Sequence, residues 1–528
     1  MARHSFLSLI FLACVLAGCA SPSAPSLTFP RAPLTRNDHE IWYDTNADGK
    51  PDFGLVRDES GKINLLEYDD NEDGRPDRIY RLSDYENSAV PHLVILLDSI
   101  PYQAVAERYR AGDFNFFDPP QKVIPPFPSM SEQIFSRILH APPLPGVVDD
   151  AYDPRRNGHN SGILQRVEGY HQPWEYRCNY VATYWESVQS FLEPRKWFNI
   201  EMARARQALD TSPDRVTVVY IASSSSMLCK YARPGLDEVL DEAQRLCLQV
   251  LYERHGAVKI SMCADHGHNL VKSQNIHFEQ TLKAAGFNPT GKIQKPNDVV
   301  LDLDGLVTYL GIHTTEPQKV ADALLTRSEI ELVTYMEQDK VIVRDPRSAV
   351  GIEYRAPGRF RYFPLPWYSG GGQGWGPSSR GTAEPPPLPS PGVPGEGIEV
   401  GDPLHYRPVL EALRAAGKLD ADGFASDQDW FDATVDHQFP DAPRRLWDAY
   451  HGLVVDPPTI MLTVHDGYSA GDERLRQFIT MLSTHGGLNQ VNSATFLMTM
   501  NGRSHHPIRS FDIIPTIEPG YELPVRPR

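Results

Sequence analysis

The stretch from Ala257 to His268, AVKISMCADHGH, constrains the fold of this 528-residue chain most sharply. A short, continuously apolar run with β-branched residues, ending abruptly in Asp265-His266-Gly267, predicts a buried strand that delivers two ligand-capable side chains at its carboxyl end. In open α/β sheets ligands bind at that end. A carboxylate oxygen beside an imidazole nitrogen suits zinc, manganese or iron better than calcium. Taken alone, the dipeptide reads as a plain loop; matching chemistry at other strand ends lifts it out of that reading. His268, just beyond it, reads as a polar loop residue.

The run His92 to Leu97 is likewise wholly apolar after its first residue and ends in Asp98, as a buried parallel strand would. Helical composition follows from Gln103 to Ala111, then a proline-rich segment from Pro119 to Pro128. That segment leads into Phe127-Pro128-Ser129-Met130-Ser131-Glu132, where a hydroxyl near a helix N-terminus would stand among backbone N–H groups that favour phosphate. The plainer reading makes Ser129 a cap, since Ser129 and Glu132 have capping-box spacing. Residues 236–254 and 276–285 predict helices, and 329–344 a hairpin about Glu337-Gln338-Asp339-Lys340. The strand Thr459 to Val464 ends in His465-Asp466-Gly467, a surface or supporting pair.

The amino terminus indicates a compartment. Arg3 and His4 precede an apolar run from Phe6 to Leu16, too short for an ordinary transmembrane helix and of signal-peptide length. With Leu16-Ala17-Gly18-Cys19 it resembles a bacterial lipoprotein signal, which implies that Cys19 becomes the lipid-modified first residue. Ala20 in place of an aspartate implies the outer membrane, so the chain is expected on a lipid anchor in the cell envelope, facing the periplasm or the exterior. In that oxidising compartment Cys178, Cys229, Cys247 and Cys263 are candidates for disulfides. A formal net charge of −17 leaves no basic face for a nucleic-acid scaffold.

The first mature segment repeats itself. Asp44, Asn46, Asp48 and Asp52 recur as Asp69, Asn71, Asp73 and Asp77, twenty-five positions on, both in the pattern D-x-N-x-D-G-x-x-D. Alternate oxygen side chains and a turn-forming glycine predict calcium loops. They lack an EF-hand's closing glutamate, since Leu55 and Tyr80 stand there, and resemble thrombospondin type 3 or dockerin-like loops. The plainer alternative is a pair of acidic turns.

Asp98 after one strand, Phe-Pro-Ser-x-Ser some thirty positions later, Asp265-His266-Gly267, and Thr484-His485-Gly486 before a last strand at 493–498 together resemble the type I phosphodiesterase/nucleotide pyrophosphatase branch of the alkaline phosphatase superfamily. The resemblance covers about residues 90–355 and 455–505. It implies a two-zinc site in which Asp98, Asp265, His266 and the nucleophile Ser131 hold one ion and His485 belongs to the other. The reaction it implies is hydrolysis of phosphodiesters or nucleotide-like phosphate esters, through a phosphoseryl intermediate. The chain departs from the pattern after Val216–Ile221, where Ser225 and Cys229 stand in place of an aspartate and a histidine. This degraded second site makes a catalytically weakened envelope protein that binds a ligand or partner the alternative. The Cys-x-Pro-x-Arg motif of sulfatases is absent.

The expected fold is a doubly wound, mostly parallel α/β sheet of alkaline phosphatase type. Its expected parts are a signal (1–19), a flexible stalk (20–40), tandem calcium-loop repeats (41–88), the first part of the core (89–362), a Pro/Gly-rich insertion with a helical cap (363–455) and the end of the core (456–528).

Overall fold

A computed structural model describes residues 26–86, 88–160, 162–303, 305–365, 401–471, 481–500 and 506–526. Cys19 and the signal lie outside the described residues, as does the Gly/Pro-rich stretch 366–400. Among the described residues no helix is long and apolar enough to cross a membrane.

The apolar runs fold into a six-stranded sheet in the order Val216–Ile221, His92–Leu97, Lys259–Ala264, Thr495–Thr499, Gln121–Ile124, Ile508–Arg509. The first three are parallel; Thr495–Thr499 runs against both its neighbours, and Ile508–Arg509 is parallel to Gln121–Ile124. Alternate side chains go to opposite faces. Leu93, Ile95, Leu97, Ile260 and Met262 pack on one side with Met202, Leu240 and Leu246 of the helices Pro194–Thr211 and Arg233–Glu253. Val94, Leu96, Val218 and Cys263 pack on the other with Ile134 and Phe135 of the helix Ser131–Ile138 and with Ile513 and Ile514 near the carboxyl terminus. Each large aliphatic side chain so buried contributes about 1.5–3 kcal/mol, which is why a strand apolar on both faces settles here. This half of the molecule is the doubly wound α/β layer expected.

A second, nine-stranded sheet was not foreseen as a unit. Its order is Asn288–Pro289, Asp298–Asp302, Tyr309–Thr314, Ile460–Val464, Ile330–Glu337, Lys340–Arg344, Ala349–Arg355, Arg359–Pro364, Ala425–Ser426, antiparallel apart from its first pair. The predicted hairpin is present, closed by Glu337 opposite Lys340. Helices Arg407–Ala415, Asp427–Thr434 and Ala442–Tyr450 lie on one face of this sheet, where Tyr406, Trp430 and Leu446 meet Ile352 and Phe360.

The repeated segment is a five-stranded antiparallel meander from Thr35 to Arg81, and each copy of the motif forms an equivalent hairpin loop, after Tyr43 and after Tyr68. Asp44 and Asp69 each accept a hydrogen bond from the glycine N–H five residues on, at 2.8 Å. Asn46 and Asn71 accept from the N–H of Asp48 and Asp73 at 2.9 Å, while Asp52 and Asp77 accept from the N–H of Thr45 and Asn71. Phe53 and Tyr68 pack on Tyr252, fixing the meander to the helix Arg233–Glu253.

Two expectations are corrected. The segment 20–40 is not a free stalk from residue 26 onward: Leu27 and Phe29 are buried, their carbonyls accept from Arg245, and Thr35–Arg36 pairs into the meander. Two apolar residues in a polar stretch suffice to dock it. Cys178, Cys229, Cys247 and Cys263 are all buried, and no disulfide joins them.

The first core strand is anchored electrostatically. The His92 ring, fully buried, donates from Nδ1 to Glu518 at 2.7 Å and accepts at Nε2 from Ser261 at 2.8 Å, while Arg215 pairs with Glu518. Burial holds His92 below its ordinary value. Burial also raises Glu518, but hydrogen bonds and charge from His92 and Arg215 outweigh it and hold this carboxyl at about 2. Both shifts have the same sign for stability. His92 must take up a proton as pH falls below its ordinary 6.5. The Glu518 contribution, complete above its ordinary 4.5, is lost as pH falls towards about 2. Thermal midpoints are expected to decline from about pH 6.5 downward. Glu518→Gln is expected to flatten the acid end, and calorimetric scans of both chains check it; parallel curves below pH 4.5 contradict the assignment.

Candidate metal centre

Register brings the chemistry together. Leu97 pairs with Ile221 on one side and Ala264 on the other, so Asp98, Ala222 and Asp265 emerge side by side at the carboxyl edge of three parallel strands. Asp98, Asp265 and His266 are buried, with one potential ligand atom from each lying within 4.8 Å of the others; among the described residues they are the one such cluster of three or more acidic, His or Cys side chains. Gly267 follows because a Cβ there would lie 2.3 Å from the Val491 carbonyl oxygen.

Hydrogen bonds orient each donor. Asp98 accepts from Ser99 Oγ at 2.6 Å and from Tyr220 Oη at 2.5 Å. Asp265 Oδ1 accepts the backbone N–H of Ser99 and of His266 at 2.9 and 2.8 Å. His266 Nδ1 lies 2.8 Å from the Gly267 carbonyl, and His485 Nδ1 lies 3.0 Å from the Ser129 carbonyl. A carbonyl only accepts, so both rings carry their proton on Nδ1 and offer a lone pair at Nε2. His266 Nε2 stands 3.2 Å from Asp265 Oδ2, which has no hydrogen-bond donor among the described residues. With the carboxylate ionised, two lone pairs thus face each other in a buried site.

The electrostatics carry the same tension. Burial and then the Asp98 charge push the Asp265 carboxyl well above the carboxylate range. Burial lowers His266, and burial together with His266 pushes His485 down to about 4. A buried cation among these groups satisfies every lone pair at once, and two carboxylates with neutral imidazole form a donor set suited to zinc or manganese. The residues fit a divalent ion.

Ser131 is brought to the same point. It opens its helix, with Oγ 3.2 Å from His266 Nε2 and 3.5 Å from Asp98 Oδ1. Ser129 does not cap this helix: Met130 holds the cap position without a side-chain bond. The buried Ser129 turns away instead, its Oγ 3.0 Å from the Gly487 carbonyl and 3.2 Å from Ser493 Oγ, because the loop after His485 needs polar partners there. A cavity of about 290 Å³ opens beside Ser131, lined among others by Asp98, His485, Trp174, Tyr184 and Tyr220.

The second-site positions are close but altered. Ser225 Oγ lies 3.3 Å from Ser99 Oγ, at the start of the helix Ser223–Tyr231. Burial keeps the Cys229 thiol protonated, pushed up to about 12. Ser225 offers only a neutral hydroxyl, and Cys229 offers no thiolate at neutral pH unless a bound metal displaces its proton. His485 nonetheless stacks on His266, ring centroids 4.2 Å apart.

Several residues escaped the sequence reading. Tyr220 and Ser99 hold Asp98. Asp466, read in the sequence as a surface or supporting residue, accepts from Asn269 and Asn492 at 2.8 and 2.9 Å, tying the loop after His266 to the segment before the last strand. Arg445 is buried and donates to the carbonyls of Pro440 and Leu488 and to Ser493 Oγ, within the network that holds Ser129. No local pattern announces any of these partners, since each depends on a contact between distant segments. Arg445→Met, removing a buried donor from each of those acceptors, is expected to cost about 2–4 kcal/mol in chemical denaturation. A loss below about 0.5 kcal/mol contradicts this account of the loop.

Comparison with models of known families and with curated proteins finds no match. Among solved structures the chain is similar to human ectonucleotide pyrophosphatase/phosphodiesterase 5, at 10% identity over 81% of this chain and 93% of that one, with a TM-score of 0.38. It is similar to phosphonoacetate hydrolase from Sinorhizobium meliloti, in complex with phosphonoformate, at 11% identity over 86% and 97% of the two chains, with a TM-score of 0.40. A likeness this distant decides neither fold nor activity.

Proposed function

We propose that this chain is a metal-dependent phosphoester hydrolase of the alkaline phosphatase superfamily, with Ser131 as nucleophile and phosphodiesters or nucleotide-like esters as substrates. One observation carries the reading: a serine hydroxyl at a helix start faces a buried cluster of two carboxylates and an imidazole lone pair, beside a cavity. Asp98, Asp265 and His266 would hold the ion, zinc or manganese, and the ion would lower the hydroxyl pKa and neutralise phosphate oxygens. Asp98 accepts from Ser131 and orients its Oγ, while Tyr220 and Ser99 hold Asp98 still. The free N–H groups of the first helical turn favour phosphate at Ser131. His485, its tautomer set by Ser129, lines the cavity with a neutral ring.

The same reading places Cys19 as a lipid anchor, with the chain in the bacterial cell envelope, and assigns calcium to the two loops of the meander, supported by the repeated pattern of oxygen side chains. Ser225 and Cys229, standing where the resemblance expects an aspartate and a histidine, favour the second reading, a weakened relative that binds a phosphate-bearing ligand or an envelope partner.

The stereochemical course of hydrolysis separates these. Two successive in-line displacements through Ser131 retain configuration at phosphorus when a chiral aryl phosphorothioate diester is hydrolysed in isotopically labelled water, the label making the product phosphorus stereogenic. Inversion overturns the seryl route, and an absence of turnover with zinc and with manganese favours the binding protein.

A further inference from the structure

His268 is a buried polar side chain that the chemistry above leaves unused. It is 1% exposed, and neither ring nitrogen makes a hydrogen bond of good geometry among the described residues, the Ser483 backbone being its polar neighbour. A buried donor or acceptor left unmade costs about 1–3 kcal/mol, and an imidazole carries two such atoms. Its neighbours differ: His266 and His485 each satisfy Nδ1 on a backbone carbonyl. The position of His268 is built from both sides. Gly267 lies against the Val491 carbonyl, and Asn269 bonds to Thr484 through its backbone N–H and its side-chain oxygen, both at 3.0 Å. This clamp sets the His268 ring 5.4 Å, centroid to centroid, from that of His485, which itself stacks on His266.

We propose that His268 and His485 together hold a second metal ion, beside the one assigned to Asp98, Asp265 and His266, and so supply the ligands that Ser225 and Cys229 do not. The inference rests on the metal-dependent reading of the Ser131 centre. Two neutral imidazoles select zinc, cobalt or nickel over magnesium or calcium. Water or phosphate oxygens would have to fill the remaining positions, so a site with two protein ligands is weaker than the carboxylate-rich one. His485 contributes Nε2, because Ser129 holds its Nδ1 proton.

The test counts zinc on the full chain. Metal is removed with a chelator, zinc is returned in the presence of excess calcium to occupy the meander loops, and bound zinc is measured by mass spectrometry after desalting. Two equivalents are expected, the second of lower affinity. His268→Leu is expected to hold one, and His268→Cys, which restores a zinc ligand, to hold two. One equivalent on the unsubstituted chain overturns the second site and leaves the proposed function standing; none overturns both. Two equivalents on His268→Leu place the second ion elsewhere and overturn the inference. Zinc-edge X-ray absorption of the unsubstituted chain, at one and at two equivalents, decides the matter if a variant fails to fold. The second ion is expected to add imidazole scattering, and a second ion bound by oxygen alone contradicts the assignment.

Discussion

Ser131→Ala is expected to lower hydrolysis of an aryl phosphodiester by at least about a thousandfold while leaving zinc binding and fold nearly unchanged. The hydroxyl stands at the start of its helix beside the ligand cluster, 3.2 Å from His266 Nε2 and 3.5 Å from Asp98 Oδ1. It contributes little to folding: it is half-buried, and its partners are held by other bonds, Asp98 by Tyr220 and Ser99 and His266 by Gly267. Its thermal midpoint is therefore expected to stay within the change that about 0.5 kcal/mol produces. Steady-state kinetics beside calorimetry read the two effects apart. A variant that retains a tenth of the activity shows that another oxygen attacks.

Asp265→Asn is expected to reverse its effect on stability when zinc is added. Without metal the wild-type chain buries a carboxylate whose Oδ2 meets the His266 lone pair and which lies close to Asp98. Burial of such a group costs several kcal/mol in effective terms, and a neutral amide able to donate to Nε2 relieves it. The metal-free variant is therefore expected to melt above the metal-free wild type. With zinc at a hundred times its dissociation constant the wild type gains about 2.7 kcal/mol. The variant, with affinity reduced by at least about a hundredfold, gains almost none. Four melting curves check this. A variant less stable than wild type in the absence of metal shows that the carboxylate is already satisfied, and contradicts the cation site.

The parts of this molecule that were legible in its sequence are those whose signal is local. The runs ending at Asp98 and Asp265 could be read as buried strands because a strand apolar on both faces has few other places to go, and parallel register then aligned their carboxyl ends. The repeat at Asp44 and Asp69 reads as two equivalent loops in sequence and forms two equivalent hairpin loops. The nine-stranded sheet was hidden because its strands, from Asn288 to Val464, come from segments separated by helices and a long Gly/Pro-rich stretch, and only the hairpin at Glu337 has a short-range signature. Ser129 read as a cap from its spacing to Glu132, yet the loop after His485 competes for its hydroxyl. Leu27 and Phe29 sit in a stretch whose composition reads as linker, and a docking surface on Arg245 and Gln249 overrides it. His268 looked like one more polar loop residue; its burial and its distance from His485 exist only in three dimensions.

The most direct test of the account is the rate at which the chain lacking residues 1–19 hydrolyses an aryl phosphodiester, measured after chelator treatment and again after zinc is restored. The geometry predicts turnover with zinc, abolished by the chelator and recovered on reloading, with Ser131→Ala inactive throughout. Hydrolysis at the same rate in the stripped and loaded protein, or none with zinc or manganese on diester and monoester alike, contradicts it.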